Sequence, residues 1–132
     1  MIDDDGTIHH EVRFDHPIDR VWRALTDRDE IAKWLMGNDF APVVGHRLRM
    51  DASPSHGWIE AEVLTVEPPH VLRCRWNIDG EPTTVTMTLR ADGNGTLLRL
   101  EHIGLADDPR PGFDTGWIEK FDNIARLLKE TP

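Results

Sequence analysis

Phe113-Asp114-Thr115-Gly116-Trp117-Ile118-Glu119-Lys120-Phe121-Asp122-Asn123-Ile124-Ala125-Arg126-Leu127-Leu128-Lys129 is the stretch whose reading decides the fold. Its large apolar residues fall at Phe113, Trp117, Phe121, Ile124 and Leu128, with offsets of four, four, three and four, which is one stripe of an α-helix. Ile118, Ala125 and Leu127 are expected to widen the stripe, while Glu119, Lys120, Asp122, Asn123 and Arg126 wet the opposite side. Such a helix spans about 25 Å, enough to cross a small sheet. A helix with one greasy stripe needs a surface to lie on, and the preceding residues read as that surface.

From Gly45 onward, strand candidates alternate with turn residues roughly every ten positions, the spacing of an antiparallel meander. We place strands at His46 to Asp51, Trp58 to Val66, Val71 to Asn77, Thr83 to Arg90 and Thr96 to Ile103. Turns are expected at Ala52 to Gly57, Pro68-Pro69, Asp79-Gly80 and Asp92-Gly93-Asn94-Gly95. Proline breaks a ladder, and Gly, Asn and Asp tolerate the positive φ of hairpins. Parity puts Leu72, Cys74 and Trp76 on one side, as it does Val85, Met87 and Leu89, and Leu98, Leu100 and His102. In Trp58 to Val66 the parity changes between Val63 and Leu64, which predicts a bulge or a change of exposure. Arg73 and Arg75 are expected to pair with Glu60 and Glu62 on the wet face.

Ahead of the meander, Ile8 to Phe14 reads as a strand. Ile18, Val21, Trp22 and Leu25 make a short helix with Pro17 in its first turn. Thr26 is placed to cap a restart whose apolar residues are Ile31, Trp34 and Leu35. Leu105 to Pro111 is expected to be a loop, residues 1–7 a flexible tail, and residues 1–132 one domain. The order is strand, two short helices, five strands and one long helix, so the class is α+β with about six antiparallel strands.

Composition narrows the partners. With 24 acidic and 15 basic residues, the formal charge of −9 would repel phosphate backbones, so no nucleic acid is expected. No apolar run approaches the roughly 20 residues of a membrane span, and no membrane insertion is expected. The start, Met1-Ile2-Asp3-Asp4-Asp5, has neither the basic nor the apolar region of a signal peptide. Together with the lone Cys74, this predicts a reducing, cytoplasmic setting. Seven histidines include no HxxxH or HxH pair, and no CxxC, GxSxG or P-loop pattern occurs in its context, so neither a metal nor a cofactor is expected.

Phe14-Asp15-His16-Pro17-Ile18-Asp19-Arg20-Val21-Trp22-Arg23-Ala24-Leu25-Thr26 resembles the opening of START-like lipid-transfer and cyclase proteins. Ile31-Ala32-Lys33-Trp34-Leu35, Val44-Gly45 and Val63 to Pro69 are similar, more narrowly, to the family named for activators of the heat shock protein 90 ATPase, within the START-like (SRPBCC) superfamily. Gly95-Thr96 with Leu98, Leu100 and His102, then Gly112-Phe113 and Gly116-Trp117, resemble that family's C-terminal half. The likeness covers about Glu11 to Lys129. It implies a helix-grip fold, a curved antiparallel sheet wrapped around the long helix, with a cavity between them.

Five tryptophans and four phenylalanines with no tyrosine suit a wide apolar interior. The expected lining is Trp34, Phe40, Trp76, Met87, His102, Trp117, Phe121 and Ile124, each of which also reads as ordinary core. His102 is either a polar group facing a ligand or a histidine satisfied within the protein. Three functions stay open: binding of a lipid-like, aromatic or polyketide-like molecule; a cyclase- or dehydratase-type enzyme in the same cavity, with no catalytic residue assigned; and a module that contacts a chaperone or regulator. The first is the principal expectation, and an enzyme is the lesser one.

Overall fold

The computed structural model describes residues 1–53 and 57–132; the centre of the turn expected between Ala52 and Gly57 lies outside the described residues. The elements run β1 (Ile8–Phe14), α1 (Ile18–Thr26), α2 (Arg28–Trp34), β2 (Arg47–Ala52), β3 (Gly57–Glu67), β4 (Val71–Ile78), β5 (Glu81–Asp92), β6 (Gly95–Ile103) and α3 (Arg110–Glu130). One antiparallel sheet has the order β1-β6-β5-β4-β3-β2, so the meander from β2 to β6 is completed by β1 alongside β6. The β4–β5 hairpin turns on Asp79 and Gly80 at φ of 53° and 84°. Two successive positive φ values give the turn a twist that matches the strands.

The expected irregularity in β3 is a register shift between Val63 and Thr65. The register sets Glu60 opposite Asn77 and Glu62 opposite Arg75, so Arg73, opposite Thr65, faces no glutamate. Arg75 pairs with Glu62 at 2.6 Å as expected, whereas Arg73 donates to Thr86 Oγ1 instead.

Alternation buries Leu72, Cys74 and Trp76, Val85, Met87 and Leu89, and Leu98, Leu100 and His102 under the helices. The covering stripe of α3 consists of Trp117, Phe121, Ile124, Leu127 and Leu128, with Phe113 half-buried. Two expected members fall outside it: Ile118 is 50% exposed and Ala125 faces solvent. Both lie round the cylinder from the line through Trp117, Phe121 and Ile124. Helix α3 also begins at Arg110, inside the expected loop, because Pro111 is tolerated in a first turn where no N–H is needed.

The cap of α2 is Asp27 rather than Thr26. Asp27 is extended and its carboxylate accepts from the N–H groups of Asp29 and Glu30, while the Thr26 hydroxyl turns back to the Trp22 carbonyl at 2.8 Å. Arg20, buried, donates to Glu30 Oε1 at 2.7 Å and to the Thr131 carbonyl at 2.8 Å, tying α1 to α2 and to the end of α3. Residues 1–7, expected as a flexible tail, make defined contacts: the Met1 ammonium reaches Asp114 at 2.7 Å and Asp3 meets His9 at 2.6 Å. Gly6, at φ +84°, lies so near the Arg110 guanidinium that an added Cβ would stand 2.7 Å from its Cζ.

Candidate functional site

Where the first half of α3 passes the β2, β3 and β4 end of the sheet, a cleft of about 480 Å³ remains. Leu35 and Met36, just past α2, form one wall; Ile59 and Trp76 rise from the sheet, and Phe113 and Trp117 descend from α3. Trp76 and Trp117 lie 5.4 Å apart with their planes 31° from parallel, and Trp117 stacks on Phe121 at 5.9 Å. Asp51, Asp108 and Glu119 against Lys120 make the mouth acidic. The Asp51 carboxyl is held below its ordinary range by the Ser53 N–H that it accepts.

His102 sits behind this wall with no exposed surface, edge-on to Trp76 and Phe113. An indole N–H only donates, so the 3.1 Å contact from Trp117 Nε1 makes His102 Nδ1 the acceptor. The imidazole proton therefore rests on Nε2 and is donated to Thr83 Oγ1 at 2.9 Å; that hydroxyl in turn donates to the Trp76 carbonyl at 2.8 Å. A relay of four residues thus connects α3 to β4, in which the Trp117 indole, the imidazole and the Thr83 hydroxyl each donate once. Burial pushes the imidazole pKa down to about 4, so His102 is neutral at pH 7 and neither ring nitrogen is free.

The structure separates the expected lining into three groups. Trp76 and Trp117 line the cleft. Trp34, Phe40 and Met87, again with Trp76, surround a distinct inner void of about 30 Å³, the room of one water molecule. His102, Phe121 and Ile124 line neither and are buried in the interior. Trp34 acts as a clamp, its Nε1 donating to the Ala24 carbonyl at 2.7 Å.

Gly112 and Gly116, quoted above only for the family likeness and absent from the expected lining, are cleft residues. A Cβ added at either would meet nothing within 4 Å. The available signal was Gly116 inside a helical pattern, where glycine costs about 1 kcal/mol relative to alanine, with Gly112 one turn before it at the pattern's edge. Leu35 and Phe113 read in the sequence as stripe residues, and only the placement of the helix ends leaves them, with Met36, beside open space.

Among the described residues no group of three His, Cys, Asp or Glu side chains could hold a metal ion, and no helix is long and apolar enough to cross a membrane. Cys74 is buried, and desolvation pushes its thiol pKa up to about 12, which leaves it without thiolate character.

A family model described as Activator of Hsp90 ATPase homolog 1-like protein matches residues 15–129. No curated protein matches. Protein MLL2253 of Mesorhizobium loti is 37% identical with a TM-score of 0.89, the match covering 96% of this chain and 98% of that one. DynU16, a protein in the dynemicin biosynthetic locus, is 27% identical with a TM-score of 0.84, over 96% of this chain and 48% of its own. CalU16 of Micromonospora echinospora is 26% identical with a TM-score of 0.83, over 100% of this chain and 81% of its own.

Proposed function

The chain belongs to the Activator of Hsp90 ATPase homolog 1-like family, and from that premise we propose that it holds a hydrophobic small molecule in the cleft between α3 and the sheet. The observation that carries this reading is the cleft of about 480 Å³ walled by Trp76 and Trp117, whose positions the His102 relay fixes. That size and an apolar wall with few polar groups are usual for small-molecule sites. The glycines at 112 and 116 support it, since the helix forgoes side chains where a guest would lie. DynU16 standing in a biosynthetic locus supports a small molecule as the cargo. A cyclase- or dehydratase-type reaction would need a proton carrier at the cleft, and the geometry of His102 does not favour it. The lone buried thiol fits a reducing, cytoplasmic setting.

Titration with the neutral fluorophore N-phenyl-1-naphthylamine tests the reading. Wild-type protein should enhance its emission saturably, and Gly116→Leu, which plants a side chain in the cleft, should abolish the enhancement. The same variant should be as stable as wild type, or more stable by up to about 1 kcal/mol, because leucine is the better helix former. Equal enhancement by wild type and variant would overturn the assignment of the site.

A further inference from the structure

Three tryptophans are buried: Trp34, Trp76 and Trp117. The indole N–H is a donor that ordinarily finds a partner when taken from water. Trp34 gives its hydrogen to Ala24 and Trp117 gives its own to His102. Trp76 is only 5% exposed, yet among the described residues its Nε1 has no hydrogen-bond partner; the relay uses its backbone carbonyl instead. Nor is that nitrogen sealed off, for among the described residues the enclosed unpaired side-chain nitrogens are Arg20 Nη2 and Arg110 Nε.

The Trp76 N–H therefore opens on free space, and Trp76 borders two spaces, the cleft and the inner void. The void is a poor home for a water molecule, which needs two or more polar partners. Its one polar side chain besides the buried thiol, Asn38, is already bonded to the carbonyls of Arg28 and Met36 and to the N–H of Phe40. The cleft is left as the side from which a partner comes.

We propose that the ligand accepts a hydrogen bond from Trp76 Nε1, so that the cleft takes a flat apolar molecule bearing a carbonyl-type oxygen in preference to a plain hydrocarbon. The aromatic rings of Trp76, Phe113 and Trp117 along the cleft wall favour a flat body that lies against them. The acidic mouth disfavours a carboxylate as the source of the oxygen. This rests on the reading of the cleft as the ligand site.

Fluorenone and fluorene share one fused skeleton and differ in a carbonyl against a methylene, so their affinities isolate the bond. Wild-type protein should bind fluorenone about three- to tenfold more tightly, the worth of one net hydrogen bond. Trp76→Phe should bring fluorenone down to the level of fluorene and leave fluorene unchanged. Should that variant not fold, the indole N–H resonances of wild type decide: the Trp76 signal moves with fluorenone and stays with fluorene. If neither compound binds wild type, the ligand site itself falls and this inference with it. If both bind equally, or if the preference for fluorenone survives in Trp76→Phe, the inference alone is overturned.

Discussion

Between pH 7 and pH 4 the protein is expected to lose about 3 kcal/mol of folding stability through His102 alone. Its imidazole titrates at about 4 in the folded chain against an ordinary value of 6.5, because burial disfavours the charged form. Below 6.5 the unfolded chain takes up a proton that the folded one refuses, so stability falls as pH falls. The slope is about 1.4 kcal/mol per pH unit until the folded pKa is reached, and the contribution is level above 6.5. Asp5, Asp51 and Asp114 have carboxyls held below their ordinary range. They also lose stability in acid, but near and below their unfolded value, which leaves the upper part of the window to the histidine. His102→Asn keeps an acceptor for Trp117 and a donor for Thr83 without titrating. Urea unfolding from pH 7.5 to 4.5 should show the variant's pH dependence flatter by one proton. Identical slopes would mean that His102 charges freely in the folded state.

Trp34→Ala should cost about 3 to 5 kcal/mol, the range for emptying a large aromatic site in a core. Trp34 is 2% exposed, donates to Ala24 in α1, and accepts from Asn123 of α3 through its own carbonyl at 3.3 Å. The indole thus joins α1 to α2, and its loss leaves the Ala24 carbonyl without a donor. A thermal midpoint lowered by more than about 10 °C is expected on the scale of a chain this size. A loss below about 1 kcal/mol would instead make Trp34 the wall of a space already empty, as a ligand-lining role requires.

The elements were legible because they rest on local periodicity. The stripe from Phe113 to Leu128 and the alternation in β4, β5 and β6 each need only residues a few positions apart, and the Val63/Leu64 parity change announced the bulge. The start of α3 and the cap of α2 were misplaced by a few residues, where proline tolerance and a choice between Thr26 and Asp27 decide. The site was less legible. An apolar stripe looks the same whether its residues meet protein or open space, so Phe121 and Ile124 could not be told from Trp117. Whether His102 faced a ligand depended on Thr83 and Trp117, 19 and 15 positions away in the chain. Only the folded register brings those three together.

A greasy contact has no preferred direction along its length. On hydrophobicity alone, the terminal helix could slide a turn across the strands and bury nearly as much. The bond from the Trp117 indole to the imidazole removes that freedom, because any such slip strands the indole hydrogen and leaves without a donor an acceptor that Thr83 and Trp76 hold fixed in the sheet. It works as a detent: one alignment seats, and its neighbours are too costly to occupy.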